Sequence, residues 1–419
     1  MRRSIALVTV AGLALGLAAC GGDDKKADET TSAADKTTEA TTSEAPAGGG
    51  EITVWVDANR EPAFKVAAQN YETATGNKVN LVVKENDQMR TEFLSQVPTG
   101  KGPDISFGAH DWLGEMVANG VVAPITLGDK AAEFNPTAIQ AVTLDGQVYG
   151  VPYSVENVAI IRNTKLADST PATFDEMIAK GKAAGTKYAF LVQVGETGDP
   201  YTLAAFQNSF GAPVFESENG LYTSKLALGG ENGNAFAAWL AAQGKAGTLD
   251  TAVNYDVAVE AFKNGESPYI LGGPWMIADF KAAGIDVAVD PIPSAGPNPS
   301  QPFMGVQQGF VSSKSANQLL AIDFLVNYVS TEEIQTELFN IGYRQPALTA
   351  AADKAASDTA MAGFAKAGEA SIPMPNIPEM GAVWGFWGVT EAQIISGTAT
   401  DPAAAWAKMA SDIQADLDK

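Results

Sequence analysis

The only cysteine of this 419-residue chain stands at position 20, so everything after it must fold without a disulfide framework or a cysteine metal cage. The fold has to rest on an ordinary apolar core. The chain also has a single histidine, His110. A His-rich zinc site cannot be built from it, and a Ser-His-Asp or Cys-His arrangement would have to run through His110 itself. His110 lies beside Asp111 at the end of a predicted strand, where a locally hydrogen-bonded imidazole is the expected role. Neither a phosphate-binding loop nor a dinucleotide fingerprint occurs, so no catalytic metal, cofactor or redox chemistry is expected.

The first fifty residues read as a separate region. Arg2 and Arg3 precede an apolar run from Ile5 to Ala19, which ends in Leu17-Ala18-Ala19-Cys20-Gly21. A basic start, a short apolar run and small residues before a break indicate an export signal and not a transmembrane helix. The pattern resembles a bacterial lipoprotein signal. That resemblance implies removal of residues 1–19 and a lipid attached to Cys20, holding the protein at the outer face of the cytoplasmic membrane. Two acyl chains suffice for stable anchoring, since each buried methylene contributes roughly 0.8 kcal/mol. Residues 20–50 are rich in Gly, Asp, Thr, Ser, Ala and Glu; they cannot bury enough surface to fold and are expected to form a lipid-anchored disordered linker.

Residues 51–419 carry 22 basic and 42 acidic residues, a net charge of −20. Nucleic-acid binding is not expected of such a surface. A body of this size is large enough to divide into two compact units. Ile52–Val56 and Val79–Val83 are β-branched runs, and between them Phe64, Ala67, Ala68 and Tyr71 have helical spacing before Gly76. This is the strand-helix-strand unit. It recurs around residues 104–107, 148–151 and 158–161, so an α/β fold with mostly parallel sheets is expected, with ligands bound at strand C-terminal ends. Further on, the spacing predicts a helix over 256–265, a strand over 268–271, a tight turn at Gly272-Gly273-Pro274 that delivers Trp275, and a helix over 317–328. Ser330-Thr331-Glu332-Glu333 has capping-box spacing before the next helix. The prolines at 373, 375 and 378 predict a rigid loop before Trp384.

Carboxylates and aromatics at predicted loop ends are the remaining carriers of chemistry: Asp111-Trp112, Tyr153 and Glu156, Asp199-Pro200-Tyr201, Trp275, and Trp384 with Trp387. Sugars are recognised by such sets. The apolar face of a pyranose stacks on an aromatic ring, and its hydroxyls need strong acceptors and charged donors, because a desolvated hydroxyl left unpaired costs about 1 to 3 kcal/mol.

Four separated segments extend this reading: Gly102-Pro103-Asp104-Ile105-Ser106-Phe107-Gly108-Ala109-His110-Asp111, Tyr153-Ser154-Val155-Glu156, Ala261-Phe262-Lys263-Asn264-Gly265-Glu266 with Gly273-Pro274-Trp275, and Met374-Pro375-Asn376-Ile377-Pro378-Glu379-Met380. In this order they resemble the maltose/maltodextrin-binding proteins of carbohydrate ABC importers, over essentially all of 51–419. The resemblance implies a two-lobed periplasmic-binding-protein fold of type II, each lobe a mostly parallel sheet flanked by helices, with hinge strands between. One lobe would comprise 51–154 and 309–349, the other 156–303 and 350–419. It also implies a monomer that closes on an oligosaccharide and docks on the importer's membrane subunits.

Carried over by position, Asp111 and Glu156 would bind sugar hydroxyls, Tyr201 after Asp199 would line the site, and Trp275 and Trp384 would stack. Asn59 and Arg60 fall where the family has an acidic and a basic sugar contact. Gly108, Trp112, Gly385 and Gly388 depart from the best-known members, which have Trp, Arg, Tyr and Arg there; Trp112 and Trp387 are then candidates to stack from new directions. The reading taken is a non-enzymatic importer component for maltose or maltodextrin-type α-glucosides. The alternatives are trehalose or a cyclodextrin as ligand, or a membrane-anchored glycoside hydrolase using Asp111 and Glu156 as its carboxylate pair.

Overall fold

The computed structural model describes residues 49–218 and 221–419; the export signal, Cys20 and the linker up to residue 48 lie outside the described residues. Among the described residues, ten strands build the two larger sheets: β1 Glu51–Val56, β2 Lys78–Val83, β3 Ile105–Ala109, β4 Gly150–Asn157, β5 Ala159–Asn163, β6 Leu191–Val192, β7 Tyr269–Gly272, β8 Val287–Asp290, β9 Phe303–Val311 and β10 Ile372–Pro373. The first sheet runs β10-β9-β3-β1-β2, with β4 also paired to β9; the second runs β8-β5-β7-β6.

The opening unit forms as its spacing predicts. Glu61–Thr75 is a helix that buries Ala63, Phe64, Ala67, Ala68 and Tyr71, and it stops where Gly76 adopts φ 73° and returns its N–H to the Glu72 carbonyl. β1 then pairs in parallel with β2 on one side and β3 on the other. The second sheet departs from the mostly parallel expectation. β5 follows β4 with only Val158 between, and it runs antiparallel to β7 and to β8; β7 with β6 is the parallel pair.

Two long strands connect the halves. β4 and β9 are antiparallel neighbours, from Met304↔Asn157 to Phe310↔Gly150, and β9 also pairs with β3 from Gln307↔Ala109 to Val311↔Ile105. One core lies on the first sheet around Val54, Phe64, Phe107, Tyr153, Phe324 and Leu338. Another gathers Phe174, Phe206, Phe236, Trp387 and Trp406 beside the second sheet. The result is the two-lobed fold. The helix Thr349–Ala355, of which the sequence reading assigns 350–355 to the second lobe, packs on Glu332–Gly342 and buries Ala351 in the first core.

Three local expectations change. The run 317–328 is an α-helix only over Gln318–Asp323 and continues as a π-helical turn over Phe324–Val329. The cap of the next helix shifts by one residue: Thr331, not Ser330, accepts from the Ile334 N–H at 3.2 Å, while the Ser330 hydroxyl donates to the Leu325 carbonyl. Trp384 sits within the helix Met380–Ile395 and not at the end of a loop. Among the described residues, no helix is long and apolar enough to cross a membrane.

Candidate functional site

The site is built where β1 and β3 end, where β4 crosses toward the second sheet, and where two second-lobe elements come in against them. After β1 the chain turns at Asp57, whose carboxylate accepts from the backbone N–H of Asn59 at 2.9 Å and of Arg60 at 3.2 Å, and also pairs with the Arg60 guanidinium. Arg60 further donates to Asn86 Oδ1 at 3.2 Å and Gln307 Oε1 at 3.1 Å. Burial pushes the Asp57 carboxyl up, but Arg60 and Arg344 outweigh it and hold the group below the usual carboxylate range. Asn59 is exposed on the same turn.

β3 leads into a single helical turn, His110–Trp112, buried throughout. His110 accepts the Val306 N–H at Nδ1 (3.0 Å) and places Nε2 2.9 Å from the Met374 carbonyl. Burial lowers its pKa to about 4. It is a neutral strut between distant segments, hydrogen-bonded as expected but not locally. Asp111 accepts the Trp384 indole N–H at Oδ2, 3.0 Å away, and its Oδ1 has no partner among the described residues. Burial raises its pKa to about 6, against the opposing field of Arg90.

Trp112 folds back over the strand it follows. A Cβ on Gly108 would overlap its indole ring, and the ring stacks on Phe310 with centroids 6.4 Å apart and planes at 10°. The missing side chain at 108 is the space that Trp112 fills.

Glu156, on β4, is buried between the Ser154 hydroxyl (2.9 Å) and Arg344 Nη1 (3.0 Å). The Arg344 guanidinium carbon lies 5.9 Å from the centre of the Trp275 ring, and Trp275 is 6.5 Å from Tyr201, which stacks in turn on Phe303. Burial, followed by the charges of Glu156, Asp199 and Asp111, holds the Tyr201 phenol far above its ordinary value, so it is a neutral donor and acceptor.

Of the ten cleft residues expected from sequence, the structure brings Arg60, Asp111, Glu156, Tyr201, Trp275 and Trp384 into this region. The Asp199 carboxylate is instead occupied as the cap of the helix Pro200–Ser209, accepting from the Thr202 N–H at 3.1 Å, the Thr202 hydroxyl at 2.8 Å and Gln193 Nε2. Trp387 is fully buried, donates to Gln207 Oε1 at 2.9 Å, and stacks beneath Trp384 at 5.6 Å. Trp112 is buried against Phe310 and Asn59 turns to solvent. Asp57 and Arg344 were not anticipated. For Arg344 the one advance signal is scarcity: residues 51–419 contain only four arginines, and two of them, Arg60 and Arg344, are buried here.

The architecture is matched among known proteins. The model of the bacterial extracellular solute-binding protein family aligns with residues 66–364. The chain belongs to the bacterial extracellular solute-binding proteins. A solved relative of this solute-binding protein, the Thermus thermophilus maltotriose binding protein bound with maltotriose, superposes with a TM-score of 0.81 at 32% identity, covering 87% of this chain and 100% of that one. The maltotriose-binding protein of Pyrococcus abyssi is 29% identical over 82% of this chain and 77% of its own length, and the maltodextrin-binding protein MdxE of Bacillus subtilis 26% identical over 92% and 90%. The galactooligosaccharide-binding protein of Bacillus subtilis is also 26% identical, over 89% and 88%.

Proposed function

We propose that this solute-binding protein captures maltodextrin-type α-glucosides between its lobes and delivers them to the membrane subunits of an ABC importer. The observation that carries the reading is the convergence of aromatic faces and buried hydrogen-bonding groups from both lobes: Trp275, Tyr201 and Trp384 from one side, Asp111, Arg60 and Glu156 from the other. The relatives that match over most of their length, at 32% and 29% identity, are named for maltotriose. In this reading Trp275 and Trp384 stack on pyranose faces, and Asp111 and Glu156 accept from sugar hydroxyls. Asp199 and Trp387 act at one remove, the first by capping the helix Pro200–Ser209 that carries Tyr201 and the second by backing Trp384.

Ligand favours the closed lobes only by binding them better than the open ones. Several buried polar atoms have no partner among the described residues: Asp111 Oδ1, the Tyr153 hydroxyl, Arg60 Nε and Arg344 Nε. Such groups are costly when left empty, and an oligosaccharide that satisfied them would draw the lobes together. The protein acts as a monomer held to the membrane through a lipid on Cys20; Cys20→Ser should then move it to the soluble fraction.

The protein is a receptor and not a hydrolase. In the rival reading Glu156 would be a catalytic carboxylate, yet it is locked to Arg344 and Ser154. Tryptophan fluorescence of the purified protein, titrated with glucose, maltose, maltotriose, trehalose and a cyclodextrin and confirmed by calorimetry, tests the ligand class. Saturation by maltotriose, recovered intact after prolonged incubation, is the expected result. Binding of none of these sugars overturns the reading, and released glucose turns it into an enzyme.

A further inference from the structure

Arg344 enters the site through its bond to Glu156 and its place over Trp275, and its geometry exceeds what that bond requires. It follows the helix Glu332–Gly342, whose chain is reversed at Tyr343 with φ 53°. A non-glycine residue rarely takes that conformation unless its surroundings enforce it. Here they do: Lys281 Nζ donates to the Tyr343 hydroxyl at 2.6 Å and to Asp358 Oδ2 at 2.8 Å, and it lies 4.6 Å from the centre of the Tyr343 ring. Lys281 sits on the helix Ile277–Ala282, which follows the turn bearing Trp275. The element that presents Trp275 therefore also holds the turn that aims Arg344.

The aimed residue is 6% exposed. Nη1 reaches Glu156 Oε1 at 3.0 Å, the planar group lies over the Trp275 ring, and Nε is buried with no acceptor among the described residues. An arginine kept only to neutralise a carboxylate gains most from a two-pronged fork that uses Nε together with one Nη. Only one prong is so used. A buried, charged N–H left without a partner is unfavourable enough to expect a ligand atom in its place.

We infer that Arg344 is a ligand-binding residue that selects the sugar ring stacked on Trp275, its Nε–H donating to a hydroxyl or ring oxygen of that unit. The inference rests on the sugar-binding reading above and adds a residue to it. A neutral oxygen acceptor is the partner class that fits, because Glu156, bonded to Nη1, and Asp57, which lies in the field of Arg344, already balance its charge.

The test is calorimetry with maltotriose on the full-length protein and on Arg344→Lys, Glu156→Gln and the double variant Glu156→Gln/Arg344→Met. Lysine can keep the contact with Glu156 but cannot supply the second N–H of a fork. Arg344→Lys is expected to melt near the parent temperature and bind about tenfold to a hundredfold more weakly. If it fails to fold, the pair of glutamine variants decides: adding Arg344→Met to Glu156→Gln should weaken binding by a further tenfold or so. Affinity within about twofold of the respective parent in either comparison overturns the assignment, since Arg344 would then act only as the counter-ion of Glu156. Absence of maltotriose binding by the unmodified protein overturns the assignment, and the sugar reading falls with it only when none of the other sugars binds the unmodified protein either.

Discussion

The indole N–H of Trp384 donates to Asp111 Oδ2 across 3.0 Å, joining a helix packed on the second core to the turn that ends β3 of the first sheet. This bond couples the closeness of the lobes to one acceptor and one donor.

Trp384→Phe keeps a ring against Trp387 but removes the donor, so Asp111 is left with neither oxygen bonded. The closed form should lose about 1–3 kcal/mol relative to the open one, and maltotriose affinity should fall correspondingly in calorimetry. An unchanged affinity would mean that the bond plays no part in closure.

Asp111 gives the protein a pH signature. Its folded pKa of about 6 lies above that of an unfolded aspartate, so between about pH 4 and 6 the folded state holds a proton that the unfolded state has released. This group's contribution is greatest below about pH 4 and is lost as pH rises toward 6, with an upper bound of about 3 kcal/mol. Asp57 pulls the other way, its depressed pKa adding stability that falls away in acid. Urea unfolding of the parent and of Asp111→Asn across pH 4–7 separates the two: the variant should lose the decline that the parent shows over this range. Identical slopes would contradict a buried, protonatable Asp111.

Two tryptophans should divide stability from binding. Trp387 is fully buried, and Trp387→Ala should destabilise the protein by about 3–5 kcal/mol. Trp275→Ala, at a half-buried ring on the cleft, should instead weaken sugar binding by about 1–3 kcal/mol with little change in unfolding midpoint. A large unfolding shift for Trp275→Ala would place it in the core's service.

Gly108→Ala should be disruptive despite its small size, because the new methyl would occupy the Trp112 ring. The expected loss is about 1–3 kcal/mol, with altered near-ultraviolet circular dichroism from the displaced indole. Combining it with Trp112→Leu should recover part of that loss.

Much of this molecule was legible because its signals are local. The spacing of Phe64, Ala67, Ala68 and Tyr71 before Gly76 needs only the helical repeat and a left-handed stop. The turn expected at Gly272-Gly273-Pro274 falls slightly later, at Pro274–Met276: Gly272 ends the strand and Gly273 is extended. The cap after residue 329 was misplaced by one position because Ser330 and Thr331 have the same chemistry, and the π-helical turn before them shifts the frame.

The sequence by itself determined that the core is free of disulfides, that the first unit is strand-helix-strand, and that carboxylates and aromatics are the groups available for recognition. All of these depend on residue type and on neighbours a few positions apart. Only the tertiary structure decided which of them share a cleft. Trp384 and Trp387 are three residues apart on one helix, yet one turns to Asp111 and the other into the core. Arg344 is 188 positions from Glu156 and meets it at 3.0 Å. Such pairings are set by how two lobes pack about the strands β4 and β9, and pairwise spacing along the chain carries no record of them.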